Sequence, residues 1–385
     1  MHIKDLFLLD PSVTFLNHGS FGACPEPVMA VYQDWQRRLE RQPVQFLGVE
    51  FAGYMQAARQ ALGEYLNTPA EDLVFIPNAT FGVNVVARSL QLQPGDEILS
   101  TDHEYGACDR IWQFVCEKNG AVYVRQPIPL PLRSSEEIIE RVWSGVTERT
   151  RLLFLSHITS PTALTLPVAE LCARARQAGI LTLIDGAHAP GQIPLDLPAL
   201  GADFYTGNCH KWMMAPKGAG FIFARREVQA LIEPLVVSWG WRAEPDFSSG
   251  TQFVDYLQWR GTDDPSACLA VPAAIRFMQE YAWDSVRNQC HDLLHQALHH
   301  INAITGIASV YPSDSGYYHQ MAIAELPQQP DLKQLKKRLY EIFKIEVPCI
   351  EWNGRHLVRI SVQGYNTLED IQRLISALER LLEGA

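Results

Sequence analysis

The chain has 385 residues, 47% hydrophobic and 19% charged, the balance of a globular protein with a large core and no disordered tract. Its 32 basic residues stand against 43 acidic ones for a formal net charge of −11, which argues against a nucleic acid or an anionic membrane as the main partner but allows a local basic pocket for a small anion. The opening "MHIKDLFLLDPSV" is broken by acidic and polar residues and lacks the apolar core of a signal peptide. The eight scattered cysteines form no CxxC pair and no metal-ligand spacing, so they read as buried, reduced thiols of a cytoplasmic protein.

Through the first two thirds, short apolar runs alternate with helical patterns. "DLVFI" (72–76) reads as a strand with a helix from Thr80 behind it, and "DEILST" (96–101) as a strand with a helix from about Tyr105. "AVYVRQ" (121–126) precedes "SSEEIIERVWSGV", where Ser135 and the pair Glu136–Glu137 suit a helix N-terminus. "TRLLFLSH" (150–157) leads into "LPVAELCARARQAG" (166–179), a helix ending near Gly179, and "ILTLIDGAH" (180–188) follows at once. This alternation predicts an α/β fold, a mainly parallel sheet between helices, with ligands beyond the carboxyl ends of the strands. After about Gly261 the pattern changes to helices at 265–281 and 284–304, extended "YHQMAIAEL", helical "DLKQLKKRLYEIF", extended "IEVPCIEW" and "HLVRISV", and a final helix. A large domain over 21–262 and a small C-terminal α+β domain over 263–385 are therefore expected.

Candidate chemistry collects at the strand ends. Asp185 closes the buried strand at 181–185, with His188 just after it, and Lys211 follows the apolar segment "ADFYTG". Pyridoxal phosphate chemistry needs such a pair: a lysine amine for a Schiff base and a carboxylate that keeps the pyridine nitrogen protonated. A turn-forming Asp and a solvent Lys would look the same locally. In "FIPNATFGVN" (75–84) a strand gives way to a helix at Thr80, whose free N–H groups suit a phosphate or are closed by a simple cap. Tyr105 lies past a strand end, where an aromatic stacks on a flat cofactor or joins the core. Arg359 sits inside the apolar run "HLVRISV", where its partner is a substrate carboxylate or a structural acid.

In this order, the motifs "FLNHGSFG", "NATFGVN", "DHEYGA", "SHITSPTALTLPV", "DGAHAPG", "HKWMMAPKGAGF", "RGTDD" and "VRISVQGYN" resemble the class V aminotransferase superfamily, fold type I pyridoxal phosphate enzymes that include the cysteine desulfurases. The likeness is to its isopenicillin N epimerase-like branch and spans nearly the whole chain. It implies Lys211 as the Schiff-base lysine, Asp185 as the partner of the pyridinium nitrogen and His188 near the phenolic oxygen. Thr80, the backbone at Phe81, Asn208 and His210 would hold the phosphate, and Tyr105 would stack on the ring, with Ser160 of the "SHITSP" motif beside the cofactor. Thr262 of "RGTDD" would reach the phosphate of a second subunit, which implies a homodimer with shared sites. Arg359 would bind the substrate α-carboxylate, and segment 1–20, with Asn17 and His18, would line the substrate pocket.

Desulfurases carry a catalytic cysteine on a mobile loop before that arginine. Here the region is short, and Cys349 reads as a core residue on a strand. Trp239 and Trp241 of "SWGWRAEPDF" could shape the pocket. The expected activity is chemistry at the α-carbon of an amino acid, with epimerisation and C–S lysis side by side and transamination third. Tyr105 or His18 could deliver a proton to the second face. A non-catalytic scaffold has no need of Lys211, and no GxGxxG follows an early strand to suit a nicotinamide dehydrogenase.

Overall fold

The computed structural model describes residues 3–244, 248–312 and 315–382. Among these residues twelve strands run in chain order: β1 (Thr14–Phe15), β2 (Leu73–Ile76), β3 (Glu97–Thr101), β4 (Val122–Gln126), β5 (Thr150–Ser156), β6 (Leu181–Gly186), β7 (Phe204–Asn208), β8 (Gly220–Ala224), β9 (Met321–Leu326), β10 (Ile345–Glu346), β11 (Cys349–Trp352) and β12 (Arg355–Ser361). Seven of them form one sheet in the order β2-β8-β7-β6-β5-β3-β4. All neighbours from β7 through β4 pair parallel, and β8 alone runs against both of its neighbours. The expected α/β fold with a mainly parallel sheet is therefore the observed one.

Strand periodicity explains the two cores. Successive side chains point to opposite faces, so Val74, Ile76, Phe154, Leu183 and Phe204 join one cluster with the helices Ala79–Ser89 and Gly106–Asn119. Leu73, Phe75, Leu155, Ile184 and Tyr205 join the other, with Phe51–Leu66 and Val168–Gln177. Both faces are covered, which is why the strands read as unbroken apolar runs. Each fully buried large side chain stabilises the fold by roughly 1.5–3 kcal/mol relative to leaving it exposed.

A second, three-stranded antiparallel sheet in the order β11-β12-β9 lies in the C-terminal part and carries Arg359 on β12. The expected extended stretch "IEVPCIEW" splits at Val347–Pro348. Proline cannot donate to a ladder, so β10 pairs instead in parallel with β1, tying the N-terminal segment to this part of the chain.

Helix starts differ from expectation by one residue where caps decide them. Asn78, not Thr80, caps Ala79–Ser89 by accepting from the Phe81 N–H at 3.0 Å. Ser134, not Ser135, caps Ser135–Trp143 in the same way through the Glu137 N–H. Gly179 takes a left-handed φ of 70° one residue past the cap residue Ala178, the usual place for a helix-ending glycine. No helix among the described residues is long and apolar enough to cross a membrane.

Candidate functional site

The parallel strands end at a cavity of about 540 Å³ whose lining includes Ser20, Thr80, Tyr105, Ser156, Ser160, Asp185, His188, Asn208, His210, Lys211 and Lys217. Its size falls within the roughly 300–1,000 Å³ of small-molecule sites. Lys211 lies in the connection that turns from β7 into the reversed β8, so the direction change in the sheet puts its amine over the strand ends.

One wall is the start of the helix Ala79–Ser89. Gly82 lets that helix lie directly on β7, since a Cβ there would stand 2.2 Å from the Thr206 hydroxyl. Asn208 Oδ1 accepts the Ala79 N–H at 2.8 Å and Asn78 takes that of Phe81, which leaves the Thr80 amide and hydroxyl without a protein partner among the described residues. The expected Phe81 backbone contact is thus already used by the cap, and the donors available to an anion are those of Thr80. Helix N-termini carry unshared N–H groups and partial positive charge. His210 Nδ1 donates to the Ala219 carbonyl at 3.1 Å, and burial brings its pKa down to about 4. Its Nε2 therefore donates to an anion only as the imidazolium, a form that the anion's own charge would favour.

Asp185 ends β6, buried. Its Oδ1 accepts the Ala187 N–H at 2.9 Å, and its Oδ2 receives the Cys108 thiol at 3.5 Å. Burial pushes its pKa above the carboxylate range, against the pull of the Ala187 N–H, the Lys211 charge and the thiol. Beside it Glu104 accepts from Thr101 Oγ1 at 2.7 Å and from the Ser156 N–H and hydroxyl at 2.9 and 2.6 Å, yet burial still raises it to about 8.

Lys211 has no carboxylate partner among the described residues. Its Nζ is 3.1 Å from His188 Nε2, and burial lowers its pKa to about 8, with the Asp185 charge opposing. Arg359 stands behind Ser20 and Ser160, donating to the Ser160 carbonyl at 2.5 Å and to the Ser20 hydroxyl at 3.0 Å. No acid pairs with it among the described residues, its Nε has no partner, and burial lowers its pKa to about 10. A buried cation left this way is costly unless a ligand supplies the anion.

Other expected residues sit elsewhere. Thr262 is exposed and outside the cavity lining. Asn17 donates to Glu346 at 2.9 Å and accepts from the Ser20 hydroxyl at 2.6 Å, so it steadies the serine that touches Arg359. His18 lies behind the lysine, bonded to the Lys211 carbonyl and the Tyr365 hydroxyl, both at 3.0 Å, with burial lowering its pKa to about 3. Both of its ring nitrogens are engaged inside the protein, which takes it out of proton delivery. Tyr105 lines the cavity at 47% exposure. Trp239 and Trp241 line a separate groove with Ser238, Arg242 and Glu244, and positions 245–247 of that motif lie outside the described residues. Cys349 starts β11, and burial pushes its thiol up to about 12, far from a reactive thiolate.

Sequence reading missed Asn78, Glu104, Cys108, Trp212 and Lys217, whereas Ser20 belongs to the segment expected to line the site. Asn78 had a signal, an Asn directly before a helix. Lys217 had a weaker one, a second lysine in the same connection, and its Nζ donates to the Gly22 carbonyl at 3.0 Å.

The donor set fits one group: an anion site at a helix start, a carboxylate at the end of a central strand and a desolvated amine beside it. These features define a pyridoxal phosphate enzyme of fold type I. The aminotransferase class-V family matches residues 23–374, and the chain belongs to that family of pyridoxal phosphate-dependent enzymes. It is 37% identical to an isopenicillin N epimerase of Amycolatopsis lactamdurans over 97% of this chain and 96% of that one. It is 28% identical to a probable L-cysteine desulfhydrase of Arabidopsis thaliana over 97% of this chain and 84% of that one. In fold it is similar to a cysteine desulfurase of Thermococcus onnurineus, with a TM-score of 0.84, 19% identity and coverage of 100% and 99%.

Proposed function

We propose that the protein acts at the α-carbon of an amino-acid substrate in the manner of an epimerase, with Lys211 as the amine that takes the cofactor's aldehyde and later moves the α-proton. The observation that carries this is the pairing in one site of a desolvated lysine amine with a buried guanidinium that lacks an acid. Pyridoxal phosphate, when bound, supplies an electron sink for the charge left on the α-carbon when a bond to it breaks.

The chain's own residues would divide the remaining work. The Thr80 amide and hydroxyl, Asn208 and His210 would hold the phosphate. Asp185, steadied by Ala187 and Cys108, would pair with the protonated ring nitrogen. Arg359, aligned by Ser20 and Ser160, would hold the substrate carboxylate through charge-assisted bonds. Lys211, with a pKa of about 8, has a usable neutral fraction near neutral pH and can both attack and accept a proton. Tyr105, half exposed at the cavity, is the group left to serve the opposite face once His18 is excluded.

The desulfhydrase relative favours a second reading, β-elimination from a cysteine-type substrate. Neither route needs a cavity thiol, in keeping with the buried Cys349. We also infer a homodimer in which the exposed Thr262 meets the partner's phosphate site, a division into domains near 262/263 supported by the separation of the seven-stranded from the three-stranded sheet, and a cytoplasmic setting in keeping with eight free cysteines. The test is to incubate the holoenzyme with single enantiomers of amino acids and cysteine conjugates in deuterated water. Deuterium at the α-carbon with loss of optical purity supports epimerisation. Release of pyruvate and a sulfur species would instead establish the lyase, and neither exchange nor release with any substrate would overturn both.

A further inference from the structure

His188 sits in the loop after β6, and that loop lies on the backbone of the Lys211 turn. Gly191 makes this possible: its φ is 86°, and a Cβ there would stand 2.3 Å from the Trp212 carbonyl carbon and 2.4 Å from the Met213 nitrogen. The imidazole is thereby held between two neighbours from one short segment. Trp212 Nε1 is 3.3 Å from His188 Nδ1, and Lys211 Nζ is 3.1 Å from His188 Nε2.

The two contacts are not equivalent. An indole N–H only donates, so Nδ1 must offer its lone pair, and the ring proton of neutral His188 is left on Nε2. That Nε2–H points the hydrogen-bond direction from histidine to lysine. Only a neutral amine can accept it, because an ammonium has no lone pair. Burial, with the nearby charges of Lys211 and Arg359, keeps the imidazole from protonating and so preserves the arrangement.

We propose that Trp212 is a positioning residue that locks His188 as an Nε2–H donor, so that His188 donates a hydrogen bond in the cavity and does not act as a base. The proton at the substrate carbon is then moved by Lys211, and the fixed donor adds to desolvation in favouring its neutral form. The consequence for catalysis rests on the function proposed above, whereas the tautomer lock is a property of the protein itself and is tested without turnover.

The experiment uses full-length apoprotein labelled with nitrogen-15 in histidine, with His188→Gln to assign the signal. Two-bond proton–nitrogen correlation spectra of the wild type should report the Nε2–H tautomer of His188, unchanged from pH 6 to 9. In Trp212→Phe the ring should move to the Nδ1–H form or to a mixture. The rate at which an acylating reagent labels Lys211 at pH 8, read by mass spectrometry, should fall by about twofold, as a half-unit rise in its pKa from about 8 would produce. An Nδ1–H tautomer in the wild type overturns the proposal even if the variant does not fold. So does a Trp212→Phe protein that keeps the Nε2–H form or labels at the wild-type rate. A protein that fails to act on any amino acid but passes these tests would fail the functional reading and keep the lock.

Discussion

At the scale of single residues, the site is governed by desolvation. Lys211 is buried without a carboxylate partner among the described residues, and its pKa falls from 10.5 to about 8. Because the unfolded chain would hold that proton up to a higher pH, the penalty is fully present below about pH 8. It is relieved as pH rises toward 10.5. Lys211→Met apoprotein should therefore be more stable than wild type at pH 7, by at most about 3 kcal/mol, and the gap should close by pH 10. Urea unfolding of both proteins at the two pH values checks this, and a gap that widens with pH would contradict it. Arg359 makes a different prediction. Removing charge-assisted bonds to a carboxylate costs about 1.5–3 kcal/mol, so Arg359→Gln should raise KM roughly tenfold to a hundredfold while cofactor affinity is kept. Cys349→Ser should leave turnover unchanged in steady-state assays, since its thiol sits on β11 with a pKa near 12.

Elements put these residues in place. The helix Ala79–Ser89 brings its N-terminus to the cavity only because Gly82 packs against Thr206. Gly82→Ala should cost about 1–3 kcal/mol of stability through overpacking and weaken cofactor binding along with it, measured by thermal unfolding and by titration of the apoprotein. The strands were legible because both faces of the sheet are covered and each strand is an apolar run. Helix starts were legible to within a residue, and they slipped where two capping candidates stood close together, as at Asn78 and Thr80. Asp185 and Lys211 could be found because strand ends announce themselves in sequence. The Asn208–Ala79 and Cys108–Asp185 contacts could not, because residues far apart in the chain meet only after the sheet has assembled.

For the whole molecule, the N-terminal segment closes the site through β1–β10 pairing and through Ser20, which links it to Arg359 on the C-terminal sheet. That long-range closure left no local signal beyond the "NHGSFG" motif. It also explains why His18, expected in the substrate pocket, ends up behind the lysine: its ring is needed to join Lys211, Tyr365 and the segment around it. If Thr262 completes a neighbour's phosphate site, the protein should sediment at twice the chain mass, and Thr262→Ala should weaken cofactor binding although Thr262 is outside the lining of the Lys211 cavity in its own subunit. A monomer with full cofactor affinity would refute the shared site.

The most direct measurement of the central claim is to add pyridoxal phosphate to the purified protein, reduce with borohydride and map the adduct by peptide mass spectrometry. The site geometry predicts a single pyridoxyl adduct on Lys211, with loss of the visible absorption band in Lys211→Ala. An adduct on Lys217, the other lysine lining the cavity, or no adduct at all, would contradict it.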